Sequence, residues 1–325
     1  VLINSIPILE AQASSAIENV VTTADELFRH LDDDAGADPA TRETLRYRTA
    51  LRTGFEHTIE RGLTASTATA VYSIIKGREM RIRDLPGTRI GRPGTTEVIY
   101  SPPEGWDTVT EKLHDWERFV HADDGLDPLV RMAAAHYQFE AIHPFPDGNG
   151  RTGRILNVLM LVEAGHLRLP VLYLSRYIID TKNDYYRLLL AVTAEQAWED
   201  WVLYILTGIE LTSRYTLRKI GAIKALQDDF NQRARFACKG GADAEFQSAL
   251  FEQPYCRIAT VVARCGVSRP TATAWLNALV DHGMLETVKV GRDRLFINRE
   301  FLKLLVRREP LGEPDFNGKQ LAMFG

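Results

Sequence analysis

Twelve residues, His143-Pro-Phe-Pro-Asp147-Gly148-Asn149-Gly150-Arg151-Thr152-Gly153-Arg154, constrain this chain more than any other stretch. They lie between two helical patterns. One opens at Asp127-Pro128, a cap and a first-turn proline, and runs to about Ile142; the other runs from about Arg151 to Ala164 and stops at Gly165. The connection concentrates a base, a carboxylate, glycines and two arginines. Glycines let backbone N–H groups turn inward to form an anion-binding nest at a helix N-terminus. Arg151 and Arg154 stand three apart and share one face of the helix's first turn. Cations there oppose the helix dipole, a conflict that a bound polyphosphate removes. Asp147 is suited to hold a Mg²⁺ that also takes phosphate oxygens, and His143 to accept a proton from an attacking hydroxyl.

Other readings of the stretch fare worse. Gly148-x-Gly150-x-x-Gly153 matches a dinucleotide fingerprint, but Pro-Phe-Pro precedes it where a strand is required and no βαβ unit surrounds it. Asp147-Gly-Asn149-Gly resembles the start of a calcium loop, but Val158 stands where the twelfth-position Glu is needed. No G-x-x-x-x-G-K-[ST] occurs. A purely structural helix–helix connection stays open; it explains the glycines but not the histidine, aspartate and two arginines.

The remainder reads as mostly helical. Ala13, Ile17, Val20, Val21, Ala24, Leu27 and Phe28 predict a helix over residues 11–31, with further helices over 40–60, 66–76, 108–120 and 184–228. Between 86 and 105, prolines and glycines punctuate two short strand-like runs, 88–90 and 97–100, which predict a hairpin. At 325 residues the chain has room for about two domains. Its formal charge of -4 excludes a generally basic nucleic-acid coat. The three cysteines, Cys238, Cys256 and Cys265, form no C-x-x-C pair, which suits reduced thiols in a cytoplasm. No apolar run approaches the roughly 20 residues of a membrane span. The first residues make a poor signal peptide, and the lack of an initial Met implies residues upstream.

The twelve residues match H-x-F-x-[D/E]-G-N-G-R-x-x-R without a departure, so the chain resembles the Fic family; the likeness continues through residues 172–192 and Trp198 to Leu206. That resemblance implies an all-helical core with a small β flap, covering roughly residues 5–210. It implies a protein adenylyltransferase that moves AMP from ATP to a Ser, Thr or Tyr hydroxyl of a target protein, with ATP as substrate and Mg²⁺ as cofactor. In it, His143 is the general base and Asp147 binds Mg²⁺. Gly148, Asn149 and Gly150 form the anion hole, Arg151 and Arg154 hold the outer phosphates with Thr152 among the nucleotide contacts, and Phe145 is a core anchor. Doc-like kinases of this fold carry Lys where Gly150 stands, so Gly150 favours nucleotidyl transfer. Tyr185 and Tyr186 resemble tyrosines near the nucleotide base, with helix packing as the alternative. Thr95, Thr96, Glu97, Val98 and Ile99 resemble a flap that pairs with the target by strand addition, with an ordinary surface hairpin as the alternative.

Ser14-Ser-Ala-Ile-Glu18-Asn19 fits [S/T]-x-x-x-E-[G/N], which resembles the family's inhibitory motif. It implies that Glu18, with Ser14, pairs with Arg154 and displaces the γ-phosphate. The same glutamate can orient a water that removes AMP, so a de-AMPylase is an alternative function. Towards the C-terminus, helix patterns over 257–265 and 270–282 are joined by a turn in which Ser268 can cap. The strand patterns 285–290 and 294–297 follow, and the whole resembles a winged helix. That leaves a transcriptional regulator, with the Fic site as nucleotide sensor, as a further alternative. The expected domains are an N-terminal helical region, 1–90, with an inhibitory helix at about 11–31; a catalytic core, 91–215; a helical linker, 216–241; a winged helix-turn-helix, 242–309; and a tail, 310–325. The expected partners are a protein hydroxyl, a second copy of the chain in a homodimer, and either DNA or protein for the C-terminal module, with no membrane.

Overall fold

The computed structural model describes residues 2–91, 98–238, 244–290 and 293–312. Among them, helices α1 (Leu2–Ile17), α2 (Ala24–Arg29), α3 (Pro39–Arg61) and α4 (Ala65–Lys76) come first. A two-stranded hairpin, β1 (Ile90–Gly91) and β2 (Val98–Tyr100), follows. Then come α5 (Trp106–Val120), α6 (Pro128–Ile142), α7 (Asn149–Glu163), α8 (Leu174–Asp180), α9 (Lys182–Glu195) and the 40-residue α10 (Trp198–Ala237). Local chemistry sets several starts. Asp38, Asp127 and Ser268 each accept a backbone N–H in the first turn of a helix that carries proline at its first or second position. Helix α7 is buried almost all round from Asn149 to Val162, and so lies inside the first core. Around it pack Tyr47 of α3, Val71 and Tyr72 of α4, Trp116 of α5, Phe139 of α6 and Trp201 of α10.

The C-terminal module is α11 (Ala244–Glu252), β3 (Tyr255–Arg257), α12 (Ile258–Cys265), α13 (Arg269–Asp281), β4 (Glu286–Val290), β5 (Asp293–Ile297) and α14 (Arg299–Val306). Its antiparallel sheet has the order β3-β5-β4, with Tyr255 opposite Ile297 and Lys289 opposite Arg294. The second core joins this module to the N-terminus. Phe246, Leu250, Phe251, Leu276, Phe296 and Phe301 share it with Ile6, Ile8, Leu9 and Ala13 of α1 and with Tyr215, Ile223 and Phe230 of α10.

The helix expected over 11–31 is two helices in the structure. Asn19 adopts a left-handed φ of 61°, and Val20 N–H reaches the Ser15 carbonyl at 3.0 Å while Asn19 N–H reaches that of Ala16 at 3.1 Å. These are the bonds of a Schellman stop. Thr23 then caps α2. The helix also starts earlier than expected: burial of Ile6, Ile8 and Leu9 outweighs Pro7 inside α1. The hairpin forms over β1 and β2, but Thr95, Thr96 and Glu97 lie outside the described residues, as do Lys239 to Ala242. Position 215/216, taken as a domain boundary, falls within the unbroken α10. Strand β3 and helices α8, α11 and α14 have no counterpart in the sequence reading.

Candidate active site

The site is the join between α6 and α7. Helix α6 ends at His143, which adopts φ 51°, ψ 58° as its cap, an uncommon conformation for a residue with a side chain. The loop returns through Phe145, fully buried and stacked on Tyr72 with centroids 4.0 Å apart. The Asn149 side chain closes the loop, accepting from Phe145 N–H at 2.9 Å and donating to Phe145 C=O at 2.7 Å. It is therefore a strut, and its backbone N–H is left for an anion. Gly148, with φ 82°, is the N-cap of α7, and no side chain caps that end. Four amide groups at a helix start need partners, so this end is open to an anion. The Thr152 hydroxyl is buried and donates to Gly148 C=O at 3.0 Å.

Arg154, Arg151, Asp147 and Lys182 have partners within the protein, whereas Glu140 Oε1 and His143 Nδ1 are buried without one. Arg154 is 1% exposed. It donates from Nε to Ser14 Oγ at 2.8 Å, and from Nη2 to Ser14 C=O at 3.0 Å and Glu18 Oε1 at 2.8 Å. Burial works against its charge, but Glu18 more than offsets this and its pKa is raised. A Cβ on Gly150 would collide with the Glu18 carboxylate and Arg154, so only glycine permits this approach. Arg151, also buried, donates to Glu43 Oε1 of α3 at 2.5 Å. Lys76, the last residue of α4, sits 2.7 Å from Asp147 Oδ2. Burial pushes Asp147 up, yet Lys76 outweighs it and the carboxyl titrates below its usual range. Lys182 of α9 donates to Ile17 C=O at 2.5 Å and so holds the end of α1 next to Glu18.

Burial pushes His143 down to about 4. An imidazole in water loses its neutral form below about 6.5; removed from water, this one stays neutral well into acid. Glu140 and Glu10 move the opposite way, to about 7, also through burial. Of the two tyrosines, Tyr185 is core: it is buried, its hydroxyl 3.0 Å from His136 Nε2, and its ring lies among Trp201 and Tyr204. Tyr186 is exposed and lies edge-on to Tyr185. Val98 and Ile99 are exposed on β2. Among the described residues no cluster of three His, Cys, Asp or Glu could hold a metal by itself. One exposed carboxylate, Asp147, still fits a Mg²⁺ delivered with phosphate, since that ion is commonly held by one or two carboxylates plus phosphate oxygens. Sequence reasoning missed Lys76, Glu43 and Arg83, the last bonded to the His143 carbonyl. Their partners lie 71, 108 and 60 residues away, and no local pattern signals them.

Comparison with known proteins finds one family along three stretches of the chain. Residues 1–56 match the Fic/DOC family N-terminal model, 62–161 the Fic/DOC family model, and 241–301 the C-terminal domain of SoFic-like protein adenylyltransferases. A protein adenylyltransferase fic-1 of Caenorhabditis elegans is 32% identical over 143 residues, 43% of this chain and 26% of the relative. A probable protein adenylyltransferase of Aquifex aeolicus is 37% identical over 79 residues, 24% of each chain. The matches thus span about a quarter of these curated relatives' lengths. The crystal structure of a Fic family protein from Desulfovibrio desulfuricans G20 superposes with a TM-score of 0.53 at 22% identity, covering 90% of this chain and 86% of that one. At such identity the likeness speaks for the fold, and it runs through both cores. With three family models aligned along it and the motif closing the α6–α7 join, the chain belongs to the Fic/DOC family.

Proposed function

We propose that the chain is a protein adenylyltransferase restrained by its own Glu18. The observation that carries the reading is the α6–α7 join: a buried, neutral imidazole at the end of one helix, and the uncapped start of the next with two buried arginines in its first turns. In the reaction, His143 takes the proton from a protein hydroxyl. The hydroxyl oxygen attacks the α-phosphorus of ATP, the bond to the β-phosphate bridging oxygen breaks, and pyrophosphate leaves. The amides at the start of α7 bind phosphate oxygens, Arg151 and Arg154 hold the outer phosphates, and Tyr186 is the tyrosine available to the base. Asp147 would hold a Mg²⁺, which neutralises phosphate charge. Glu18, on Arg154, competes with the terminal phosphate and leaves ATP poorly aligned. An exposed hairpin edge at Val98 and Ile99 supports docking of an extended target segment by strand pairing.

The C-terminal order helix–strand–helix–helix–strand–strand, with sheet order β3-β5-β4, supports a winged helix. Its charges favour protein docking over DNA. Among the described residues Arg299 is paired with Glu286 and Arg264 with Glu252, and Arg294 is hydrogen-bonded to Asn277, which ties up cations that phosphates would need. Among the described residues no helix is long and apolar enough to cross a membrane, and the cysteines are free thiols, which supports a cytoplasmic setting. The test is transfer of label from α-labelled ATP. His143→Ala should lose at least about 100-fold with ATP affinity within about twofold of the parent, and the parent should hold its rate from pH 7 down to pH 5.5, because the imidazole titrates at about 4. Transfer retained by the alanine variant would overturn the reading.

A further inference from the structure

The chain between α4 and α5 leaves the first core, forms the hairpin and returns, and on both legs it grips the end of α6. Arg83, on the outward leg, is 4% exposed. Its backbone N–H donates to Pro144 C=O at 3.0 Å. Its Nε donates to His143 C=O at 2.7 Å, and its Nη2 to Ile142 C=O at 3.2 Å and Pro103 C=O at 2.5 Å. Tyr100 of β2 donates its hydroxyl to Ala141 C=O at 2.9 Å. Four consecutive carbonyls, from Ala141 to Pro144, are thus taken by two residues that flank the hairpin. A helix end leaves such carbonyls without partners, and a guanidinium placed there both fills them and meets the negative end of the dipole.

No carboxylate among the described residues forms a salt bridge with Arg83, Glu104 acting on it only at longer range, and its Nη1 is buried without a partner. A buried, unpaired guanidinium is costly, so burial lowers its own pKa. A residue needed only to stop a helix has cheaper replacements. What this one adds is a fork that fixes two successive peptide units, at Ile142 and His143, where the left-handed backbone of His143 has no glycine to relieve it.

We infer that Arg83 is the positioning residue for His143, and that through Pro103 it ties the placement of the imidazole to the β1–β2 hairpin. The inference rests on His143 as the base, and it adds a link between the hairpin and the atom that takes the proton. A target segment seated on the hairpin would then bear on the base through Arg83. The charged groups that face the imidazole are Arg83, Glu18 and Asp147, together with the Glu140 carbonyl on α6 itself. Arg83 is the one cation among them, and it depresses the titration.

The test uses the full chain with Arg83→Met and Arg83→Lys. Single-turnover transfer should fall about 10- to 100-fold in Arg83→Met, the scale of a misplacement of about 1 Å. ATP affinity should stay within about twofold, because the phosphate ligands stand on α7. The His143 imidazole, followed by NMR with His143→Ala assigning its signal, should titrate at a higher pH in Arg83→Met. Arg83→Lys keeps the charge and loses the fork, so its imidazole should titrate like the parent's while transfer stays low. If Arg83→Met does not fold, Arg83→Lys alone decides through its rate. Transfer within threefold of the parent in Arg83→Lys, or ATP affinity that falls in step with the rate, overturns the inference. The imidazole titration needs no turnover. A Glu18→Gly chain that transfers nothing therefore defeats the proposed function, whereas an unshifted titration in Arg83→Met defeats the role of Arg83.

Discussion

In the proposed function, Arg154 carries both use and restraint. Its guanidinium is buried, and each of its three bonds goes to Ser14 or Glu18 of the N-terminal segment. Glu18 is partly exposed, with 31% of its side chain open to water. The pair can therefore open at less cost than a fully buried one, for which losing a partner costs about 3–5 kcal/mol. Glu18→Gly should raise self-modification strongly by freeing Arg154 for phosphate. Arg154→Ala should lower transfer in either background, and releasing Glu18 should then gain little. Rates of the four proteins in a double-mutant cycle test this; an equal gain from Glu18→Gly with and without Arg154 would break the assignment. How much of this was legible follows the same residues. The motif from His143 to Arg154 is contiguous, and so is Ser14 to Asn19, so both could be found by reading along the chain. Glu43 on Arg151 and Lys76 on Asp147 could not, because tertiary packing alone brings them together. Tyr185 and Tyr186 carry the same side chain at adjacent positions, yet one is core and the other exposed; only packing against Trp201 and Tyr204 separates them.

At the scale of elements, the break after α1 is what aims Glu18. The apolar positions 13, 17, 20, 21, 24, 27 and 28 keep a helical period across the break, which is why periodicity reads one helix there. The structure uses them differently: Val21 is 74% exposed, while Ile17 and Leu27 are buried in different cores. The stop depends on Asn19, since a left-handed residue is needed to send the chain away. The last position of the inhibitory motif thus acquires a physical reason: asparagine and glycine are the residues that tolerate that conformation. Asn19→Gly should leave self-modification at the parent level. Asn19→Val, strained at positive φ by roughly 1–2 kcal/mol, should loosen the end of α1 and raise self-modification towards that of Glu18→Gly. Rates and thermal midpoints of the two variants check this. If the valine variant stayed as inhibited as the parent, the backbone at Asn19 would not be what aims the carboxylate.

Across the whole molecule, the proposed restraint would not be a property of the N-terminal region alone, because α1 belongs to two cores. Ala11 and Ile17 face the first, and Ile6, Ile8, Leu9 and Ala13 face the second, which the C-terminal module completes. Polar ties reinforce this join: Tyr255 donates its hydroxyl to Asp25 at 2.6 Å and Gln253 its amide to Asp32 at 2.7 Å. Helix α10 crosses between the cores as well, from Trp201 in the first to Phe230 in the second, with Lys219 donating to the Leu304 and Arg307 carbonyls at the end of α14. Two helices shared in this way leave no surface along which the modules can part without exposing apolar side chains. Calorimetry should therefore record one unfolding transition for the full chain. Leu9→Ala, at a site 3% exposed, should cost about 2–5 kcal/mol and lower that single midpoint by roughly 3–7 °C for a chain of this length. It should also raise self-modification, since the helix that ends at Glu18 loses part of its seat. Two separable transitions, with only one moved by Leu9→Ala, would mean that the C-terminal module does not support the helix that carries the restraint.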